Sequence, residues 1–115
     1  MASIRNASNV QVVSILGNAS ADTNVEVIKG VSGSRIWITK ITISVGSAGA
    51  NNVRVHEEDA AVAGNTIEGG QFAANGGVAN PYMHAIPLTA GKGLQVDYST
   101  ANSTDLIVHY VVENN

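Results

Sequence analysis

At 115 residues the chain has the length of about one domain, and a domain of this size buries roughly two-thirds of its unfolded surface, enough for one core without covalent staples. Only 13% of its residues are charged, about half the usual share, and the net charge is −3 with its 6 basic residues scattered rather than clustered, which argues against nucleic-acid binding and against a polybasic membrane anchor. The absence of cysteine excludes disulfides, thiol nucleophiles and zinc–thiolate sites together.

Polarity comes mostly from Asn, Ser and Thr, residues that suit strand faces and tight turns rather than the Lys- and Glu-rich surface of a helical protein. The first residues lack the apolar run of a signal peptide, and nothing approaches the ~18 apolar residues of a membrane span. The expected setting is a chain made and assembled in a cytoplasm. Sequons at Asn6, Asn18 and Asn102 are read as chance in a chain so rich in these residues.

Residues 1–9 are polar and aperiodic and predict a flexible arm, whose Ile4 and Arg5 are candidates for gripping a neighbouring surface. A single β domain over residues 10–115 follows. Val10 to Leu16 reads as a first strand closed by Gly17-Asn18, and Val25 to Val31 as a second. Arg35 to Val45 is the longest β-like run and the candidate central strand. Ile36 and Ile38 share one phase, whereas Ile41, Ile43 and Val45 share the other. The switch near Lys40 predicts a β-bulge, or a passage from two-sided to one-sided burial.

Gly46 to Asn52 is a loop, and Val53 to His56 a short alternating strand. Glu57 to Asn65 has room for a single helical turn. Ile67 to Phe72 is a weak strand, followed by Ala73-Ala74-Asn75-Gly76-Gly77, a turn signal of the kind found in tight hairpins. Val78 to Leu88 is extended, and Pro81 and Pro87, which cannot donate to a ladder, place it at a sheet edge. Leu94 to Ser99 alternates as a strand buried on one side. Leu106 to Val112 is apolar in both phases and reads as a central partner of the long strand. About eight antiparallel strands with no long helix indicate an all-β fold, a β-sandwich of jelly-roll type.

Catalytic spacing is missing. Gly91-Lys92-Gly93 lacks the other residues of a phosphate loop, and no Gly-x-Ser-x-Gly elbow presents a serine, so a non-enzymatic role is expected. His56-Glu57-Glu58-Asp59 is the densest ionisable cluster. Consecutive strand residues point to opposite faces and do not converge on one ion, so the cluster reads as a solvated acidic strand end or an intersubunit ion pair. His84 and His109 sit on extended segments where they either meet across a sheet or hold structural hydrogen bonds. Tyr82, beside Pro81, is the aromatic best placed to be exposed, and a glycan-binding module is the alternative function. No cofactor or metal is expected. Ile4, Arg5, His56, Glu57, Tyr82 and His84 together make up the expected interaction surface.

Several elements occur in an order that resembles small structural β-proteins of tailed bacteriophages. These are the Gly-Ser entry to the long strand (Gly33 to Val45), Phe72-Ala73-Ala74-Asn75-Gly76-Gly77-Val78 with Pro81-Tyr82, Ala90-Gly91-Lys92-Gly93-Leu94-Gln95-Val96, and a last strand closing on His109-Tyr110. In place of the Trp-bearing turn found after the proline in that group, this chain has Met83-His84-Ala85. The resemblance implies a capsid decoration or cement protein on the virion surface, a homotrimer bound to the major capsid protein.

Overall fold

The computed structural model describes residues 9–58 and 66–114. Within them the alternating sequence forms eight strands and no helix: β1 (Gln11–Asn18), β2 (Val25–Ile28), β3 (Ser34–Val45), β4 (Asn51–Glu57), β5 (Thr66–Phe72), β6 (Gly77–Pro87), β7 (Leu94–Tyr98) and β8 (Thr104–Asn114). They make two four-stranded sheets, in the orders β1-β8-β3-β6 and β2-β7-β4-β5, with every pair antiparallel. The chain is an all-β sandwich. Of these strands only β4 and β5 are both consecutive and paired, so each other step along the chain crosses from one sheet to the other.

Between the sheets lie Ile36, Ile38, Ile41 and Ile43 of β3 and Leu106 and Val108 of β8, facing Val53 and Val55 of β4 and Leu94, Val96 and Tyr98 of β7. None of them is more than 3% exposed. Each such side chain contributes about 1.5–3 kcal/mol relative to its exposed state, which makes the β3/β8 and β4/β7 pairs the energetic centre.

The phase switch in β3 is a β-bulge. Ile38 pairs with Tyr110 and Lys40 with His109, so two steps along β3 match one along β8 and Thr39 is the extra residue. One inserted residue turns the later isoleucines back toward the core. Ile36, Ile38, Ile41 and Ile43 therefore all face inward despite their mixed sequence parity. Trp37, 2% exposed, points to the outer face beside Val111, so the first half of β3 is buried on both sides, as its sequence implies.

β6 lies at a sheet edge, as its prolines require, and β8 is central and pairs with β3. The Ala73–Gly77 turn differs from expectation. Asn75 does take a positive φ of 63° and the Gly76 amide donates to the Ala73 carbonyl at 2.8 Å, but the turn joins β5 and β6, which lie in different sheets. Local chemistry selects the turn, whereas the face buried by each flanking strand decides the sheet. The helical turn expected within residues 57–65 falls largely outside the described residues.

Candidate interaction surface

A sandwich has four edge strands, and each exposes unpaired backbone groups unless something blunts it. Here β2 is four residues long and carries Glu26. β6 carries Pro81 and Pro87, and its register breaks: between Lys40 and Ile38 β3 advances two residues while β6 runs from Pro81 to Ile86. The surplus, Tyr82 to Ala85, bulges from the sheet and leaves Met83 94% exposed. β5 is fastened to β6 through Glu68, whose Oε1 accepts from Asn80 Nδ2 at 2.8 Å and from the Tyr82 hydroxyl at 2.9 Å. Burial, with the Glu68 hydrogen bond and charge added to it, raises the Tyr82 pKa far above the ordinary phenol value.

The fourth edge is different. β1 reads Gln-Val-Val-Ser-Ile-Leu-Gly-Asn, with no charge and no proline, and among the described residues it pairs with β8 on one side only. Its Val13 and Ile15 pack on the core, while Val10, Val12 and Leu16 are 60%, 56% and 65% exposed. Gly17, with φ 66°, ends the regular run at a register shift, and its amide donates to Asp105 Oδ1 at 2.7 Å.

Several polar groups of the interior are tied into the fold. Asp97 of β7 accepts from the Asn24 amide at 2.7 Å, from Arg54 Nη1 at 3.1 Å and from His56 Nε2 at 3.0 Å. Partial burial pushes its carboxyl upward, but the Asn24 amide, His56 and Arg54 together hold it below the usual carboxylate range. His56 Nδ1 lies 2.9 Å from the Glu57 carbonyl, so both ring nitrogens are engaged and the ring is 2% exposed. Glu57 accepts from the amide and the hydroxyl of Thr89, and Glu58 accepts from the Gly93 amide at 2.9 Å. Asn51, 1% exposed, donates to Thr104 and to the Asn102 carbonyl and accepts from the Thr100 amide, fixing the start of β4 to the β7–β8 turn.

These contacts correct part of the sequence reading. His56 and Glu57 are inside rather than on a solvated strand end, because β4 is a central strand and its last residues, Val55 to Glu57, are buried on both faces. Tyr82 is half-buried with its hydroxyl spent on Glu68, so it offers no open stacking platform. His84 is exposed beside Met83, and it does not meet His109, since β3 lies between β6 and β8. Ile4 and Arg5 lie outside the described residues. Among the described residues no group of three His, Asp or Glu side chains is arranged to hold a metal ion. Val10, Val12 and Leu16 escaped the sequence reading, although apolar residues in both phases of an uncharged strand were the available signal.

A polar cleft of about 510 Å³ opens at one end, between Gly30–Gly33 and Ala90–Lys92, with Glu58 and Lys92 on its walls. Its floor is a close backbone approach. A Cβ on Gly30 would come within 2.6 Å of the Gly93 amide nitrogen, so only glycine fits there. A small-molecule pocket normally has apolar walls with a few convergent polar groups, whereas this cleft is lined by glycines, Ser32, Ala90 and two opposite charges and has no large apolar side chain among the described residues.

No protein-family model matches the chain, and no curated protein matches it. Among solved structures it is similar to the Eiger TNF protein of S. frugiperda, at 14% identity over 87% of this chain and 83% of that one, with a TM-score of 0.43. It is also similar to a chain of Bacillus endospore appendages, described as a novel family of disulfide-linked pili, at 10% identity over 99% and 96% of the two chains, with a TM-score of 0.46. Neither likeness carries a functional argument.

Proposed function

We propose that the chain is a structural module that works by self-association, and that it serves as a decoration protein on the head of a tailed phage, bound to the major capsid protein. The observation that carries the self-association reading is the contrast among the four edges: β2, β5 and β6 are short, sealed or blocked by proline, while β1 is long, uncharged and lined by exposed Val10, Val12 and Leu16. An edge of that kind pairs with another chain unless it is covered. The interior histidine and carboxylates hold strands and turns together, consistent with a non-enzymatic role. The virion setting rests on the order of turn and strand motifs in the sequence.

We read the sandwich as a jelly roll. The interleaved orders β1-β8-β3-β6 and β2-β7-β4-β5 support this, since a jelly roll folds eight strands into two sheets through two Greek keys. Sedimentation of the purified chain, alone and with tailed-phage head shells, tests the proposal. A self-associated species that cosediments with the shells is expected. A chain that stays monomeric at every concentration and remains in the supernatant would overturn it.

A further inference from the structure

We infer that two copies of this chain pair antiparallel through their β1 edges, about a two-fold axis at Ser14. The inference rests on the self-association reading and names its surface and symmetry.

β1 is self-complementary about Ser14. Val12 and Leu16 stand two residues to either side and, by strand alternation, on the same outward face, while Val13 and Ile15 stand one residue to either side on the core face. In an antiparallel pair centred on Ser14, Val12 of each copy lies opposite Leu16 of the other, twice by symmetry. Val13 likewise lies opposite Ile15, extending the two cores into one another. The register with β8 shifts between Ile15 and Asn18, where Gly17 takes a positive φ of 66°, and this limits the regular paired run on that side.

No like charges face each other in this register, because β1 carries none. The pairing joins two four-stranded sheets into one of eight strands and leaves no β1 edge exposed, so the assembly closes at two copies. A closed pair is the outcome that reciprocal matching dictates, in contrast to the trimer implied by the sequence resemblance.

The absence of cysteine makes the test clean. Directly opposed residues of antiparallel strands have Cα atoms about 4.5–5.5 Å apart, within disulfide reach. Ser14→Cys is therefore expected to oxidise to a covalent dimer at least about tenfold faster than Ser20→Cys, which places an exposed thiol away from the edge. In sedimentation equilibrium, Val12→Lys with Leu16→Lys is expected to weaken pairing by about a hundredfold, since like charges then face each other twice and two apolar contacts are lost. Val12→Glu with Leu16→Lys brings opposite charges together in this register and is expected to recover most of that loss. Both residues are solvent-exposed, and circular dichroism of each variant checks that the fold is kept.

If the two double variants associate equally weakly, or if the Ser14→Cys chain oxidises no faster than the Ser20→Cys chain while both still oligomerise, the β1 pairing is overturned and self-association through another surface stands. A trimer or an open-ended polymer overturns the two-fold. A chain monomeric throughout overturns both the pairing and the reading on which it rests.

Discussion

Trp37 donates its indole N–H to the Glu113 carboxylate at 3.1 Å on the outer face of the β3/β8 pair, and both side chains are buried, at 2% and 8% exposure. The bond spans two rungs of the same face, Trp37 opposite Val111 and Arg35 opposite Glu113, with the Ile36–Val112 rung between them. A buried donor left without its acceptor costs about 1–3 kcal/mol. Glu113→Leu is therefore expected to destabilise the fold by about that amount, and Glu113→Gln, which keeps an acceptor oxygen, by less. Trp37 is the single tryptophan, so its fluorescence reports urea unfolding directly. Equal losses in the two variants would show that the hydrogen bond contributes nothing.

Asp97 makes stability depend on acid. Its pKa in the fold lies below the unfolded value of about 3.9, so its contribution is present above that pH and is lost as pH falls through the folded value. Asp97→Asn keeps an oxygen for His56 but removes the charge that Arg54 and the Asn24 amide stabilise. The variant is expected to be less stable at neutral pH and to show a flatter loss of stability below about pH 4. Urea midpoints across acid pH measure this, and an acid limb as steep as that of the unaltered chain would refute it.

Glu68 restrains the opposite edge of the sandwich. Glu68→Ala is expected to cost about 1–2 kcal/mol through its two lost hydrogen bonds and to let Tyr82 ionise at lower pH, while burial keeps that value above the ordinary one. Tyr98 is also held neutral, its pKa pushed up to about 12 by burial and by the charge of Asp105. With folded values above the unfolded value of about 10, both tyrosines contribute stability that is lost as pH climbs through and beyond that point. Ultraviolet difference titration resolves the ionisations. A Tyr82 transition unmoved by Glu68→Ala would mean that burial alone raises it.

The bulge at Thr39 sets a deletion test. Removing Thr39 leaves Ile38 followed directly by Lys40, which matches the consecutive partners Tyr110 and His109 and keeps Ile41 and Ile43 facing the core. Deleting Thr42 instead throws the residues on one side of it onto the wrong face. The Thr39 deletion is expected to fold with a loss of no more than about 2 kcal/mol, and the Thr42 deletion to fail to fold. Thermal melts followed by circular dichroism distinguish them, and equal outcomes would refute the bulge assignment.

The same bulge marks what the sequence could disclose. Ile36, Ile38, Ile41, Ile43 and Val45 change parity at one place, and only an extra residue reconciles that change with a single core, so the irregularity was legible to within a residue of Thr39. The edge position of β6 was legible from Pro81 and Pro87, because a missing N–H is a property of the residue itself. Pairing between sheets was not: Asn75-Gly76 reports its own φ but carries no information on whether the next strand returns to the same sheet. The burial of His56 and Glu57 escaped for the same reason, since it depends on β7 supplying Asp97 and on the turn before β7 supplying Thr89. The exposed face of β1 was hidden by its own composition, as outward valines read like core residues until the partner strands are known.

Gln11 at the start of β1 stands opposite Tyr110, near the end of β8, so the two ends of the described chain leave the sandwich side by side. Tension applied across them opens the β1–β8 ladder from Gln11↔Tyr110 toward Asn18↔Thr104, breaking one rung at a time, whereas force along the strands loads many rungs together. The fold would therefore resist a load that slides β1 along β8 far better than one that peels the two ends apart.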